Sequence, residues 1–251
     1  MKVLLAFLLT LPLAGQLRIE AAGFHMKEWE LRALFQSAIT AFPEPTRKDP
    51  PVFISRHPEG PIVLFQRTPR GEVAMRLDSG DYYYAQLIYQ FAHELAHIRA
   101  DFQPVDHENK WLEETLCETA SLFALRRLTN HWENKAPFQA LKDYRHHLAT
   151  YADRVIKSRE PLTPAIAPAF YQKHRATLRK SATERSLNGA FANLILPLLE
   201  KEPEHWQVLT YFPRQKGSSL AEHFSAWQNA APKKHHSFLK KMKALFLPKG
   251  E

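Results

Sequence analysis

His93-Glu94-Leu95-Ala96-His97 is the stretch of this sequence whose residue types and spacing can do chemistry. On a helix, imidazoles four positions apart stand on one face, one turn apart. Zinc accepts imidazole nitrogen, and two side chains at that spacing converge on one ion. Glu94 lies beside the pair, where a carboxylate can hold a zinc-activated water and take its proton. Chance alone produces this pattern about once in twenty chains of this size and composition. The surrounding elements must therefore be capable of positioning it.

The motif falls within a helix expected from about Tyr82 to Arg99, after a turn at Asp78-Ser79-Gly80-Asp81 that can cap it. Leu87, Ile88, Phe91, Ala92, Leu95, Ala96 and Ile98 wrap most of its circumference, so the helix should be largely buried. Buried imidazoles and carboxylates need partners, because leaving each unpaired costs a few kcal/mol. Upstream, the 3.6-residue period from His25 to Phe42 predicts a helix ended by Pro43 and Pro45. The period then changes to that of strands at Val52–Ser55, Ile62–Gln66 and Glu72–Leu77. Thr68-Pro69-Arg70-Gly71 reads as a hairpin turn between the last two. Downstream, a helix from Lys110 to about Leu128 is followed by further helical segments punctuated by proline, with Asn130–Pro137 as the boundary between lobes. The expected fold is α+β and mostly α: a small antiparallel sheet with the motif helix, then an all-helical lobe.

A catalytic zinc takes three protein ligands and keeps one position open. The helix after the motif carries Trp111-Leu112-Glu113-Glu114-Thr115-Leu116-Cys117-Glu118. Glu113 points about 100° away from Glu114, so only one of them can face the ion, whereas Glu118 shares the face of Glu114. Cys117 could bind zinc chemically, but reads better as a small buried residue.

Together, His93-Glu94-x-x-His97 and Trp111-Leu112-x-Glu114 resemble the gluzincin zinc peptidases, whose third ligand is a Glu on the next helix. The match covers roughly residues 72–123. The resemblance implies that His93, His97 and Glu114 ligate one Zn2+, that Glu94 is the general base, and that Glu118 orients a ligand histidine from outside. It also implies that a strand just before the motif helix lines the substrate cleft, which would be Glu72–Leu77, with a free edge for a substrate strand. The Gly-x-Met-Glu-Asn-type motif of the aminopeptidases is absent, and Thr115 stands where Gly is usual. Tyr171 and His174 are candidate donors to the transition state, chosen by residue type alone.

The chain of 251 residues has a net charge of +8. Its basic residues are spread out, apart from a cluster at Lys233 to Lys243, and no nucleic-acid motif accompanies them. Lys2 followed by the apolar run Val3–Leu13 reads as a secretory signal, with cleavage after Ala14-Gly15 or at Ala21-Ala22. The organisation expected is therefore a signal peptide at 1–22, a zinc-binding catalytic lobe at 23–130 and a helical lobe at 131–251. A single cysteine excludes an intramolecular disulfide, and no stretch reaches the length of a membrane span. These features lead to an expected secreted or periplasmic zinc metallopeptidase acting on peptides or proteins, with no nucleic-acid partner. The alternative is a non-catalytic metal- or partner-binding envelope protein on the same scaffold.

Overall fold

Apolar residues at strand spacing before residue 82, interrupted by one helical stretch at 28–40, and at helical spacing after it, produce a small sheet followed by a succession of helices. The computed structural model describes residues 17–79, 82–101, 103 and 107–247. In chain order the elements are β1 (Leu17–Ile19), α1 (Glu28–Thr40), β2 (Val52–Arg56), β3 (Ile62–Arg67), β4 (Val73–Leu77), α2 (Tyr84–Arg99) and α3 (Lys110–Lys135). Then come α4 (Gln139–Lys157), α5 (Ala167–Lys180), α6 (Arg185–Lys201), a 3-10 helix at Pro203–Tyr211, and α7 (Leu220–Ala230). A 3-10 turn at Lys233–His235 leads into α8 (His236–Lys243). The fold is α+β and mostly helical.

The sheet is mixed rather than antiparallel. Its order is β1-β2-β4-β3, with β1 parallel to β2, β2 parallel to β4, and only β3 antiparallel to β4. Helix α1 carries the chain back between β1 and β2, which makes that pair parallel. The β3–β4 hairpin turns at Thr68–Gly71, where the Gly71 amide donates to the Thr68 carbonyl at 2.8 Å and Gly71 has φ 78°. That hairpin folds back with β4 on the inside. Val73, Met75 and Leu77 are buried in strict alternation, and both edges of β4 are bonded to neighbours. The free edge next to the helices belongs to β3, not to the Glu72–Leu77 strand. Leu17–Ile19, within the stretch assigned to the signal peptide, pairs with β2 and buries Leu17 and Ile19. The apolar run Val3–Leu13 lies outside the described residues.

Helix α2 is buried nearly all round. Its half-buried positions are Gln86, Tyr89 and His93, which fall on one stripe at i, i+3 and i+7. Its N-cap is Tyr83, without a side-chain cap; Gly80 and Asp81 of the expected capping turn lie outside the described residues. Antiparallel to it runs α3, in a register marked by the Ser121 hydroxyl donating to the Tyr89 carbonyl at 2.8 Å. Asn130 does not end α3. Trp132 is fully buried and donates its indole N–H to Ser37 Oγ at 2.7 Å, holding the helix onto α1 through Lys135. One hydrophobic cluster runs from Leu17 to Leu247, so the chain on either side of residue 130 shares a single core. No described helix is long and apolar enough to cross a membrane.

Candidate metal centre

The α2–α3 register places the two histidines against three glutamates. His93 and His97 turn their Nε2 atoms toward the same carboxylate oxygen, Glu114 Oε2, at 3.5 Å and 3.6 Å. These separations exceed those of an ordinary hydrogen bond. Donors of a tetrahedral zinc, each about 2.0–2.1 Å from the ion, stand about 3.3 Å apart, close to what is observed. The donor set of two neutral nitrogens and one carboxylate also suits zinc chemically. The two nitrogen–carboxylate separations and the donor types of His93, His97 and Glu114 suit zinc, while the group whose donor atoms all lie within 4.8 Å of one another is His93, His97 and Cys117.

Each imidazole has a carboxylate on its other nitrogen. His97 Nδ1 donates to Glu113 Oε1 at 2.8 Å, which sets the tautomer whose Nε2 carries the ligating lone pair. His93 Nδ1 faces Glu118 Oε1 at 3.7 Å. Each outer carboxylate is in turn held by an arginine from a later connection, Arg159 after α4 and Arg214 ahead of α7. Glu118 accepts from Arg159 and from the Tyr89 hydroxyl, and Arg159 also donates to Tyr89 Oη at 2.8 Å and to Asn193 Oδ1 at 3.3 Å. Arg214 donates from Nη1 to Glu113 Oε2 at 3.3 Å and from Nη2 to the Ala100 carbonyl at the end of α2.

Glu94 is buried between the histidines and the sheet. Burial raises its pKa, the two histidines oppose that rise, and the Val63 amide on the outer edge of β3 donates to its carboxylate. The Glu114 carboxyl is held well below its ordinary range; burial works against this, but the attraction of the two imidazoles facing it, His93 and His97, prevails. Burial also opposes charge on the histidines. Glu114 and Glu94 raise His93 in spite of it, while Cys117, Glu113 and Glu114 raise His97. A cation at Nε2 would take the place of these protons, so binding should release protons. Cys117 is fully buried with its thiol pushed up to about 12 by burial. Its sulfur lies within 4.8 Å of a nitrogen of each histidine. Glu114, by contrast, lines the open cleft and touches both Nε2 atoms.

The cleft in front of these residues has a volume of about 990 Å³. Gly60, Pro61 and residues 62–65 of the β3 edge form one wall, and the α2 stripe with Glu114 and Glu118 forms the floor. Tyr151, Arg159 and Asn188 close the far side. Tyr171 and His174 are not in it. Tyr171 is buried against Trp111 and Phe246, with ring centroids 5.6 Å and 6.0 Å away, and His174 packs on Phe170 at 4.5 Å. Residue type alone did not carry their position. Helical spacing put His93 and His97 on one face and Glu114 with Glu118 on another, and the choice of Glu114 as ligand, with Glu118 outside it, came from the family resemblance. The outer role of Glu113 follows from the same spacing once His97 sits one turn beyond His93. Arg159 and Arg214 have no local signal, because only the packing of later segments brings them to the site. No family model, curated protein or solved structure matches this chain.

Proposed function

We propose that this protein is a zinc-dependent peptide hydrolase. The observation that carries the reading is Glu114 Oε2 placed 3.5 Å and 3.6 Å from the two histidine nitrogens, with Glu94 beside them, in an open cleft. His93, His97 and Glu114 would hold the ion. When bound, zinc supplies Lewis acidity to the scissile carbonyl and lowers the pKa of water toward ~7. Glu94, whose raised pKa brings it nearer neutrality, accepts the proton of the attacking water and delivers it to the leaving amine. The free edge of β3 offers main-chain groups to which an extended peptide adds as a further strand, which holds the scissile bond over Glu94.

Zinc content and peptide cleavage test this directly. Purified protein should carry one zinc ion, and His93→Ala should lose it. Glu94→Gln should keep the zinc while cleavage falls by about 10²–10⁴-fold. Full zinc occupancy in His93→Ala, or cleavage at the wild-type rate in Glu94→Gln, would overturn the reading.

The second reading, a closed metal site in a non-catalytic envelope protein, is favoured by one observation, the nearness of Cys117 to both histidines. A fourth protein donor would remove the open position. Cobalt substitution separates the two readings. A sulfur-to-cobalt charge-transfer band that vanishes in Cys117→Ala supports the closed site, and its absence supports the open one. We also place the protein outside the cytosol on the apolar run Val3–Leu13. N-terminal sequencing of exported protein should find a start ahead of Leu17, since β1 belongs to the sheet.

A further inference from the structure

We propose that the groove includes a subsite for acidic residues of the substrate, at the end beyond His97, formed by Lys48, Arg67 and Lys110. The proposal rests on the peptide-hydrolase reading for what the groove binds. The groove does not stop at the metal triad. Leu64 and Phe65 line both the main cleft and a second hollow of about 230 Å³, which continues past the C-terminal end of α2 at Ile98 and Asp101. The β3 edge bends there. Leu64 pairs with Ala74, but the next pairing is Arg67 with Val73, so Phe65 and Gln66 form a bulge. Bulges of this kind turn a strand and re-aim its side chains. A peptide following the edge would be led from the main cleft into the hollow.

The two ends of this path differ in charge. Arg47, Lys48 and Arg67 line the hollow, and Lys110 lines the cleft at the start of α3, one turn before Glu114. The carboxylate lining the hollow is Asp101, which is taken by Arg47 at 3.0 Å, while Glu94 and Glu114 line the cleft with Lys110. Among the described residues, Lys48, Arg67 and Lys110 have no carboxylate partner. Elsewhere in the cleft, Arg159 is neutralised by Glu118, and Asp78 and Glu160 are in the lining together with Arg185. Exposed cations along a low-dielectric groove raise the local concentration of anions and fix the direction in which a polar ligand lies. A peptide with aspartate or glutamate a few residues to one side of the scissile bond fits this pattern. The same peptide reversed would place those residues against Asp78 and Glu160.

The test measures binding and cleavage separately. Fluorescein-labelled hexaglutamate and hexaglutamine peptides are titrated into the zinc-loaded Glu94→Gln protein and followed by anisotropy. Hexaglutamate should bind about tenfold tighter at low salt, and added salt should shrink the preference. The exposed double substitution Lys48→Glu with Arg67→Glu should abolish it. Lys233→Glu with Lys240→Glu, the same charge change on a distant exposed surface, should leave it intact. Equal binding of the two peptides, or a preference that survives at Lys48 and Arg67 but is lost in the distant control, overturns the subsite. Cleavage of acidic and neutral peptides by the wild type provides the second arm. Acidic preference in binding without any cleavage would sink the hydrolase reading and leave the subsite standing. Cleavage that ignores acidity and both substitutions would sink the subsite and leave the hydrolase.

Discussion

At the scale of single residues, the site is two repeats of one unit: an imidazole, a carboxylate on its Nδ1 side, and an arginine holding that carboxylate. His97–Glu113–Arg214 and His93–Glu118–Arg159 are the two copies. A carboxylate behind a ligand imidazole fixes ring orientation and raises its basicity, and losing such a partner typically costs 10–100-fold in metal affinity. Glu113 is almost fully buried, so without Arg214 its charge would be poorly compensated. Arg214→Gln should therefore weaken zinc binding by about 10–100-fold in a chelator competition, while the circular dichroism spectrum stays that of the wild type. Zinc affinity unchanged in that variant would show that Arg214 serves only packing. Glu113→Gln should behave similarly, because an amide can still accept from His97 Nδ1 but adds no charge.

At the scale of elements, Gly189 on α6 shows how a helix far from the motif in sequence sets the site. A Cβ built there would meet Arg159 Nε at 2.7 Å and Cδ at 2.9 Å, so the arginine must shift. The shifted guanidinium would leave Glu118, and His93 would lose its support. Replacing a helical glycine with alanine otherwise stabilises the helix by about 1 kcal/mol. Gly189→Ala should thus leave the melting temperature level or slightly raised while lowering zinc affinity by up to about tenfold. A fall in stability with unchanged affinity would contradict this. The same distinction explains what could be read from the sequence. The 3.6-residue period places His93 with His97 on one helix face and Glu114 with Glu118 on one face of the next, and local pattern is enough for that; the meeting of the two faces is fixed by the α2–α3 packing. The order of strands is not local. β3 and β4 are both apolar runs joined by one turn, and which of them lies inside depends on pairing with β2. Arg159 and Arg214 reach Glu118 and Glu113 across 41 and 101 residues of chain, a span with no periodic signature. Asn130 looks like a helix stop, but burial of Trp132 overrides the local preference.

At the scale of the whole molecule, the helices beyond residue 200 bury histidines as neutral groups, and this should make the fold sensitive to acid. His223 on α7 is fully buried among Phe212, Trp227 and His107, and neither of its ring nitrogens has a hydrogen-bond partner among the described residues. Burial, then the neighbouring His107, pushes its pKa down to about 3. His235 is pushed down to about 4 by burial, with His205, Lys234 and His236 adding to the shift and Glu204 opposing it. Unfolding returns both to the ordinary value of about 6.5. Between that value and the folded one, the unfolded chain binds a proton that the native protein does not, so stability must fall as pH falls. The slope is about 1.4 kcal/mol per pH unit for each histidine, starting near pH 6.5 and ending near 4 for His235 and near 3 for His223. Carboxylates such as Glu72 and Glu202, each lowered to about 2, add their own loss only below about pH 4.5. In the window from pH 4.5 to 6.5 the histidines act against Glu94 and Glu200, whose carboxyls burial raises, so His223 is isolated by comparing its variant with the wild type. Urea unfolding of chelator-treated protein across that window should give a shallower pH dependence for His223→Phe than for the wild type, by about 1.4 kcal/mol per pH unit. Chelation matters because a bound ion would add proton release at His93 and His97 to the same window. Parallel curves for the two proteins would mean that His223 is already protonated in the native state, and that its buried ring is paired in solution.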